Sequence, residues 1–368
     1  MKIVIFAGGS GRRLWPISRK KSPKQFEPII GAKSTLQLAV DRVLPQYGAE
    51  NIFISTNERY VDMVREQLPA LPPQNIIGEP TRRDLAAAVG LAIAHLSHAT
   101  NVDSADDDEE IAILWGDNYM DQVDEFRGVL AAAETLLQQK QANILFIGET
   151  PRFANNQLGW LALGEKMGIT ENGRPYYRFN SLTYRPPQAQ CEQMFAARTH
   201  VWNTGYFVTT LGFVRGLYQQ QQPAMWAQLS AIEAAIGSDG YTDALHTIYP
   251  ELEVMSFDDA ILQFVDPSDA LVLHDQMGWS DPGTLYALKE AINPDPDANV
   301  TKGQVIVEES RDTLVYNYED KKLVVVAGLD GIIVVNTDNA IVVVHKDHIG
   351  TVKAIVDGLE GTPLESYS

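Results

Sequence analysis

Cysteine is nearly absent: Cys191 is the single one in 368 residues, which excludes an internal disulfide framework. No apolar run approaches the length of a membrane span, and Met1-Lys2 leads straight into a strand without a signal-peptide pattern. A cytoplasmic protein with no membrane partner is expected. Positive charge is scarce as well, with 29 Lys and Arg against 48 Asp and Glu and a net charge of −19. Most of such a surface repels phosphate backbones, so nucleic acid is excluded as a general partner. The few cationic clusters must therefore be local and purposeful. Two glycine-rich fingerprints are also missing. The dinucleotide pattern G-x-G-x-x-G fails because Gly9-Ser10-Gly11-Arg12-Arg13 continues with Leu14, and no Lys-Ser or Lys-Thr follows these glycines to make a P-loop.

What is present begins at the amino terminus. Lys2 to Ala7 is a short β-branched, apolar run that breaks into Gly8-Gly9-Ser10-Gly11, which reads as a buried strand entering a phosphate-binding turn. Glycines let main-chain N–H groups close on an anion without a Cβ in the way. Arg12, Arg13 and Lys24 place three cations near that turn, and a polyphosphate is the natural occupant. A glycine turn of no special function is the plain alternative; the arginines, Trp15-Pro16 and Ser22-Pro23-Lys24-Gln25-Phe26 weigh against it.

Further along, apolar runs and helical spacings alternate. Strands are predicted at Asn51 to Thr56, Asn75 to Ile77, Ile111 to Trp115 and Asn143 to Ile147, with helices at Ser34 to Leu44, Glu58 to Leu68, Asp84 to Leu96 and Asp121 to Gln139. Such alternation predicts a mainly parallel, doubly covered sheet whose functional loops gather at the carboxyl ends of its strands. Asn101 to Glu110 reads as an acidic surface loop. Beyond residue 150 the pattern loosens: strands at Trp160 to Leu163, Tyr177 to Tyr184, Tyr206 to Thr210 and Leu271 to Leu273, a helix at Pro186 to Phe195, and helices filling Leu211 to Gly237. Asn293-Pro294-Asp295-Pro296-Asp297 cannot continue a helix or central strand and is the best linker. Five short β runs between Val305 and Val344 follow, as a meander or a few coils of a solenoid, and then a helix at Ile349 to Leu359. The domain division is thus 1–292, a linker 293–303, and a small β-rich domain 304–368.

Asp117 and Asp281 each follow a predicted strand, where two converging carboxylates would hold Mg²⁺ together with nucleotide phosphates; either alone would serve as a cap or turn former. Glu79 could accept from the adjacent N1–H and N2 amino donors of guanine. Asp84 is open between a base contact and a cap for the helix it begins. In Trp202-Asn203-Thr204-Gly205, Asn203 could bond sugar hydroxyls and Trp202 could line a hexose face, unless the segment is simply a turn before a strand. His95 and His98, like His345 and His348, are spaced three apart but lack a third ligand and read as scattered surface residues. Cys191 reads as structural.

The Gly8–Arg13 turn, RLWPISR and SPKQF resemble the signature of sugar-nucleotide pyrophosphorylases, in the form of the mannose-1-phosphate guanylyltransferase branch. That resemblance implies a Rossmann-like α/β nucleotidyltransferase domain with a solenoid-like β tail, Mg²⁺ as cofactor, and GTP and mannose 1-phosphate as substrates. It implies Arg13 and Lys24 as catalytic residues, Gly8, Gly9, Gly11, Arg12, Glu79, Arg83 and Asp84 as nucleotide contacts, and Asp117 and Asp281 as metal ligands. Gly159, Arg185 and Asn203 would bind the sugar phosphate. Three motifs depart from the branch: Gly116-Asp117-Asn118 stands for Ala-Asp-His, Asp84-Leu85 for Asn-Thr, and Tyr184-Arg185-Pro186 for Glu-Lys-Pro. The segment before Gly159 has also lost a sugar-binding carboxylate. A related transferase with another base or sugar, such as manno-heptose 1-phosphate, stays open. So does a non-catalytic GDP-mannose sensor; a dinucleotide enzyme lacks its fingerprint. A homodimer is compatible with the sequence, and little chain remains after the β unit for a fused isomerase domain.

Overall fold

A computed structural model of the chain describes residues 1–9, 12–19, 22–100 and 108–368. By compactness it forms two units: Met1–Gly8, Val40–Trp115 and Asp121–Gly278 in the first, and Gly9–Ala39, Gly116–Met120 and Trp279–Ser368 in the second.

Among its described residues the first unit has nine strands: β1 (Lys2–Phe6), β2 (Ile52–Asn57), β3 (Ile76–Glu79), β4 (Glu110–Trp115), β5 (Ile144–Glu149), β6 (Gly159–Ile169), β7 (Pro175–Tyr184), β8 (His200–Thr210) and β9 (Ala270–Asp275). Their order is β3-β2-β1-β4-β8-β5-β9-β7-β6. The β1–β2, β2–β3, β1–β4 and β5–β9 pairs are parallel, as the strand and helix alternation predicts. β8 enters antiparallel between β4 and β5. β6 pairs with both β7 and β8, so β5, β9, β7, β6 and β8 close a ring of strands. Continuous burial of Ile3, Val4 and Ile5 in β1 explains its uninterrupted apolar run, since a central parallel strand has no wet face. The helix Asp84–Thr100 is apolar nearly all round because β3 and the helices Leu211–Gln221 and Pro223–Ala235 cover it.

Several sequence expectations change here. The irregular middle holds longer strands than its short apolar runs suggested, because the β6–β7 hairpin carries register shifts that interrupt alternation. Trp202 to Gly205 is not a turn before a strand but lies within β8. The helix Tyr241–Ile248 and the turn Tyr249–Glu251 went unforeseen. The predicted acidic loop lies outside the described residues over 101–107.

Among its described residues the second unit has six short strands: β10 (Val300–Lys302), β11 (Val305–Glu308), β12 (Leu314–Asn317), β13 (Val324–Ala327), β14 (Ile332–Asn336) and β15 (Ile341–His345). The β10–β12–β14 and β11–β13 ladders are parallel and only β14–β15 is antiparallel, which selects coils over a meander. Asn336 donates to Asn317 at 2.7 Å across paired positions, so the coils stack on a buried amide rung. One apolar core joins Leu14, Ile17 and Ile29 of the signature segment, Leu285 and Leu288 of the helix Leu285–Ile292, and Leu314, Ile333 and Val335 of the coils. Beside it, Asp312 is buried against Lys289 at 2.7 Å, Lys346 at 2.6 Å and the Tyr286 hydroxyl at 3.1 Å. Burial pushes the Asp312 carboxyl up, but these three donors outweigh it and hold it below the usual range.

Candidate active site

Within the second unit, two loops that are remote in sequence are stitched together. Tyr119 and Ser280 exchange backbone hydrogen bonds, each 3.0 Å, and the Trp279 indole donates to Asn118 Oδ1 at 3.1 Å. Asn118 also donates to Asp117 at 3.4 Å. The Asn that departs from the Ala-Asp-His pattern thus ties the Gly-Asp-Asn segment to the Gly-Trp-Ser-Asp-Pro-Gly segment. Asp117 and Asp281 emerge on either side of this joint and share one cation: Lys24 Nζ is 2.8 Å from Asp117 Oδ2 and 3.4 Å from Asp281 Oδ1. Lys24 heads the 3-10 turn Lys24–Phe26, where Pro23 supplies an extended entry. Burial alone would lower the Lys24 pKa, but the two carboxylates reverse that and raise it, so the ammonium stays charged. Its side chain is 8% exposed, whereas those of Asp117 and Asp281 are 30% and 40% exposed. Arg13 is exposed, and a Cβ on Gly283 would lie 3.4 Å from its guanidinium, so Arg13 borders the Asp281 turn.

Two partly exposed carboxylates beside a fixed ammonium are a hard-oxygen donor set with open edges. Such a pair suits Mg²⁺, which keeps waters and takes substrate phosphates for its remaining positions. Among the described residues no three His, Cys, Asp or Glu side chains converge as a metal cluster.

Within the first unit, Glu79 closes β3 and is 9% exposed, and its Oε2 accepts from the Tyr249 hydroxyl at 2.7 Å. Burial lifts the Glu79 carboxyl to about 7, against the opposing pull of Tyr249 and Arg82. Arg82 is exposed and Arg83 half-buried, with Nε of Arg83 unpartnered. Asp84 sits at φ 63° and accepts from the Leu85 N–H at 2.9 Å, a local bond at the helix start. Gly8 and Gly9 are exposed, and a Cβ on either would meet nothing within 4 Å. Gly11 lies outside the described residues, as does the Arg12 side chain.

The three sugar-phosphate candidates converge through strand register. Gly159 faces Asn203 across β6–β8 and Tyr184 across β6–β7, and Arg185 follows Tyr184. A Cβ on Gly159 would come within 3.4 Å of Asn203 Cβ, so glycine permits the close approach. Asn203 Oδ1 accepts from the Gly205 N–H at 3.0 Å, which leaves its amide N–H groups for a ligand. Gly205 has φ +75°, and a Cβ there would stand 2.4 Å from the Trp115 indole nitrogen. Arg185 is exposed, bonds the Gln157 carbonyl at 3.2 Å and lies over the Tyr184 ring. Trp202 cannot line a hexose: it is 1% exposed and packs with Trp160, Cys191 and Met194. Cys191 is a free cysteine, fully buried in that cluster. His95 is no surface residue, since it is largely buried and bonds the Tyr241 hydroxyl at 2.7 Å. Tyr249 is the functional candidate that sequence reasoning missed. Its only local signal is a Tyr-Pro pair following the short amphipathic helix Tyr241–Ile248, which says nothing of a partner 170 residues away.

Residues 2–297 match the family model for nucleotidyl transferases, and residues 303–359 match a MannoseP isomerase/GMP-like beta-helix domain. The chain belongs to the nucleotidyl transferase family and is a nucleotidyltransferase. Its curated relatives place it beside one branch. It is 28% identical over 367 residues to the mannose-1-phosphate guanylyltransferase of Klebsiella pneumoniae, covering 99% of this chain and 75% of that one. It is 30% identical over 360 residues to the alginate biosynthesis protein AlgA of Pseudomonas aeruginosa, covering 97% and 72%. A crystal structure described as a mannose-1-phosphate geranyltransferase from Thermus thermophilus shares the fold, with a TM-score of 0.84 over 98% of this chain and 99% of that one at 24% identity. No helix among the described residues is long and apolar enough to cross a membrane.

Proposed function

We propose that the protein transfers GMP from GTP to α-D-mannose 1-phosphate, giving GDP-mannose and pyrophosphate. The observation that carries this reading is Lys24 held between Asp117 and Asp281. A phosphate oxygen of the sugar phosphate attacks the α-phosphorus in line. One P–O bond forms there as the bond to the β-phosphate oxygen breaks, and pyrophosphate leaves. Mg²⁺, held by Asp117 and Asp281, would neutralise charge on the reacting phosphates. Lys24 keeps a fixed positive charge for the phosphates, Arg13 stabilises departing pyrophosphate, and Gly8, Gly9, Gly11 and Arg12 contact the phosphate chain. The attacking oxygen is already ionised, so no general base is required. Glu79 reads guanine, with Arg83 and Asp84 at the same edge, while Asn203, Gly159 and Arg185 hold the sugar phosphate. The altered sugar loops, including the segment before Gly159 that has lost a carboxylate, permit manno-heptose 1-phosphate as the second candidate acceptor.

The test is pyrophosphate release with Mg²⁺, crossing the common nucleoside triphosphates with mannose, glucose and heptose 1-phosphates. Activity confined to GTP and mannose 1-phosphate supports the reading. Another productive pair keeps the mechanism and changes the specificity, and silence in every combination from protein that binds GDP-mannose replaces the enzyme with a sensor.

A further inference from the structure

The segment Tyr241–Glu251 is fastened to its surroundings by three side-chain links. Tyr241 bonds His95 at 2.7 Å, His246 lies 2.9 Å from Glu58, and Tyr249 bonds Glu79 at 2.7 Å. The first two read as bracing. The third is different, because Tyr249 has no exposed surface and donates to a carboxylate that the guanine reading places in contact with the base.

A carboxylate and a carboxylic acid read bases differently. The ionised form only accepts, which matches the adjacent N1–H and N2 donors of guanine. The protonated form offers one donor beside one acceptor, which matches uracil and thymine, whose edge sets carbonyl acceptors beside N3–H. We propose that Tyr249 is a positioning residue for base selection: its buried hydroxyl fixes the orientation of Glu79 and favours the acceptor-only form, so the preference for GTP over UTP depends on it. This rests on the assignment of Glu79 as the base reader.

Tyr249 can play this part because burial and the neighbouring carboxylate hold its phenol far above its ordinary pKa, so it remains a donor. Its bond uses one of about four lone-pair sites on Glu79, the Ser55 hydroxyl acts on the same carboxyl, and the sites that remain can face a ligand. Burial raises the Glu79 carboxyl to about 7, and the bonds it accepts pull it down. The charged neighbours are Arg82, which favours the carboxylate, and Arg83, which acts on Tyr249. The acceptor-only form therefore gives way near neutral pH, and selectivity should fall with it.

The experiment is kcat/KM for GTP and for UTP from pH 5.5 to 8.5 in the wild type, Y249F and E79Q. In the wild type the GTP/UTP ratio should rise with pH through an apparent pKa near 7. Y249F should move that pKa upward and lower the ratio at pH 7.5 by about tenfold, on the order of one charge-assisted hydrogen bond. E79Q should have a low ratio with no pH dependence. A Y249F enzyme with the wild-type ratio and profile overturns the proposal, as does one that loses activity on both nucleotides equally, which is a structural role alone. An E79Q enzyme that keeps its GTP preference overturns instead the underlying assignment of Glu79. Should Y249F fail to fold, 3-fluorotyrosine throughout the wild-type chain makes the hydroxyl a stronger donor without deleting it. The apparent pKa should then move down, and an unmoved profile overturns the proposal.

Discussion

Two carboxylate environments in this molecule solve burial in opposite ways. In the second unit, Asp117 and Asp281 stay partly exposed and are matched by a buried ammonium, and the cation remains charged because two anions face it. In the first unit, Glu79 is buried with a neutral phenol as its direct partner, and its proton is held up to about 7. The two facing carboxylates keep the buried Lys24 ammonium charged, whereas a buried carboxylate compensated by a phenol titrates near neutral pH. Chemistry on phosphates needs the first arrangement. Selection of a base tolerates the second and gains pH sensitivity from it.

The sharpest way to break this contrast is to remove one anion of the matched set. D281A should lower turnover about a thousandfold, in the range expected for a lost preorganised electrostatic contact, while far-UV circular dichroism stays unchanged. D117A should match it in pyrophosphate release but destabilise more, because Asp117 makes the shorter contact to Lys24 and is the less exposed partner. A fully active D281A enzyme would remove the metal role of that residue.

The next effect is on stability. Glu79 keeps its proton in the folded state to about 7, but releases it near 4.5 when unfolded. Its folded pKa is therefore the raised one, and unfolding releases a proton between those values. The Glu79 contribution to stability is full below about 4.5 and declines as pH rises toward about 7, by at most about 3 kcal/mol. E79Q should flatten that part of the urea-melt profile. An unchanged slope would show that the carboxyl is already ionised at pH 5.

The two environments also differed in legibility. Arg13, Lys24, Asp117 and Asp281 stand in short local patterns whose residue types announce phosphate chemistry, and the backbone pairing of Tyr119 with Ser280 adds only their proximity. The parallel sheet was readable because β1 and β4 are apolar runs and β2 opens with Ile52-Phe53-Ile54. The hairpin of β6 and β7 was readable as strands at Trp160 to Leu163 and Tyr177 to Tyr184, but the full length of β6 was not, since register shifts and partly exposed faces past Leu163 erase the alternation that marks a strand. Trp202 misled because an aromatic beside a polar Asn fits a sugar platform and a core equally well, and only burial separates them. Tyr249 was invisible because nothing local encodes a contact across 170 residues.

Smaller effects probe the joint that presents the matched carboxylates. Asn118 is 4% exposed, accepts from the Trp279 indole and donates to Asp117, so it sets an orientation and carries no reacting group. N118A should remove the bond from the Trp279 indole and let Asp117 rotate, lowering kcat about tenfold with little change in either KM. An N118H enzyme, which restores the branch pattern, should recover part of that loss, because a ring nitrogen can accept from Trp279. Unchanged kcat in N118A would mean that the backbone bridge of Tyr119 with Ser280 orients Asp117 by itself.

The smallest change expected is at the sugar end. Arg185 is exposed, stacked on Tyr184 and bonded through Nε to a carbonyl, so its planar fork is held in place before a ligand arrives. R185K keeps the charge but loses both the stacking and the fork. The KM for the sugar phosphate should rise about threefold, in keeping with the modest worth of an exposed ionic contact, and kcat with saturating sugar phosphate should hold. If R185K instead lowers kcat at saturation, Arg185 acts on the transition state, and the sugar end shares in the electrostatic work assigned to Lys24 and the two aspartates.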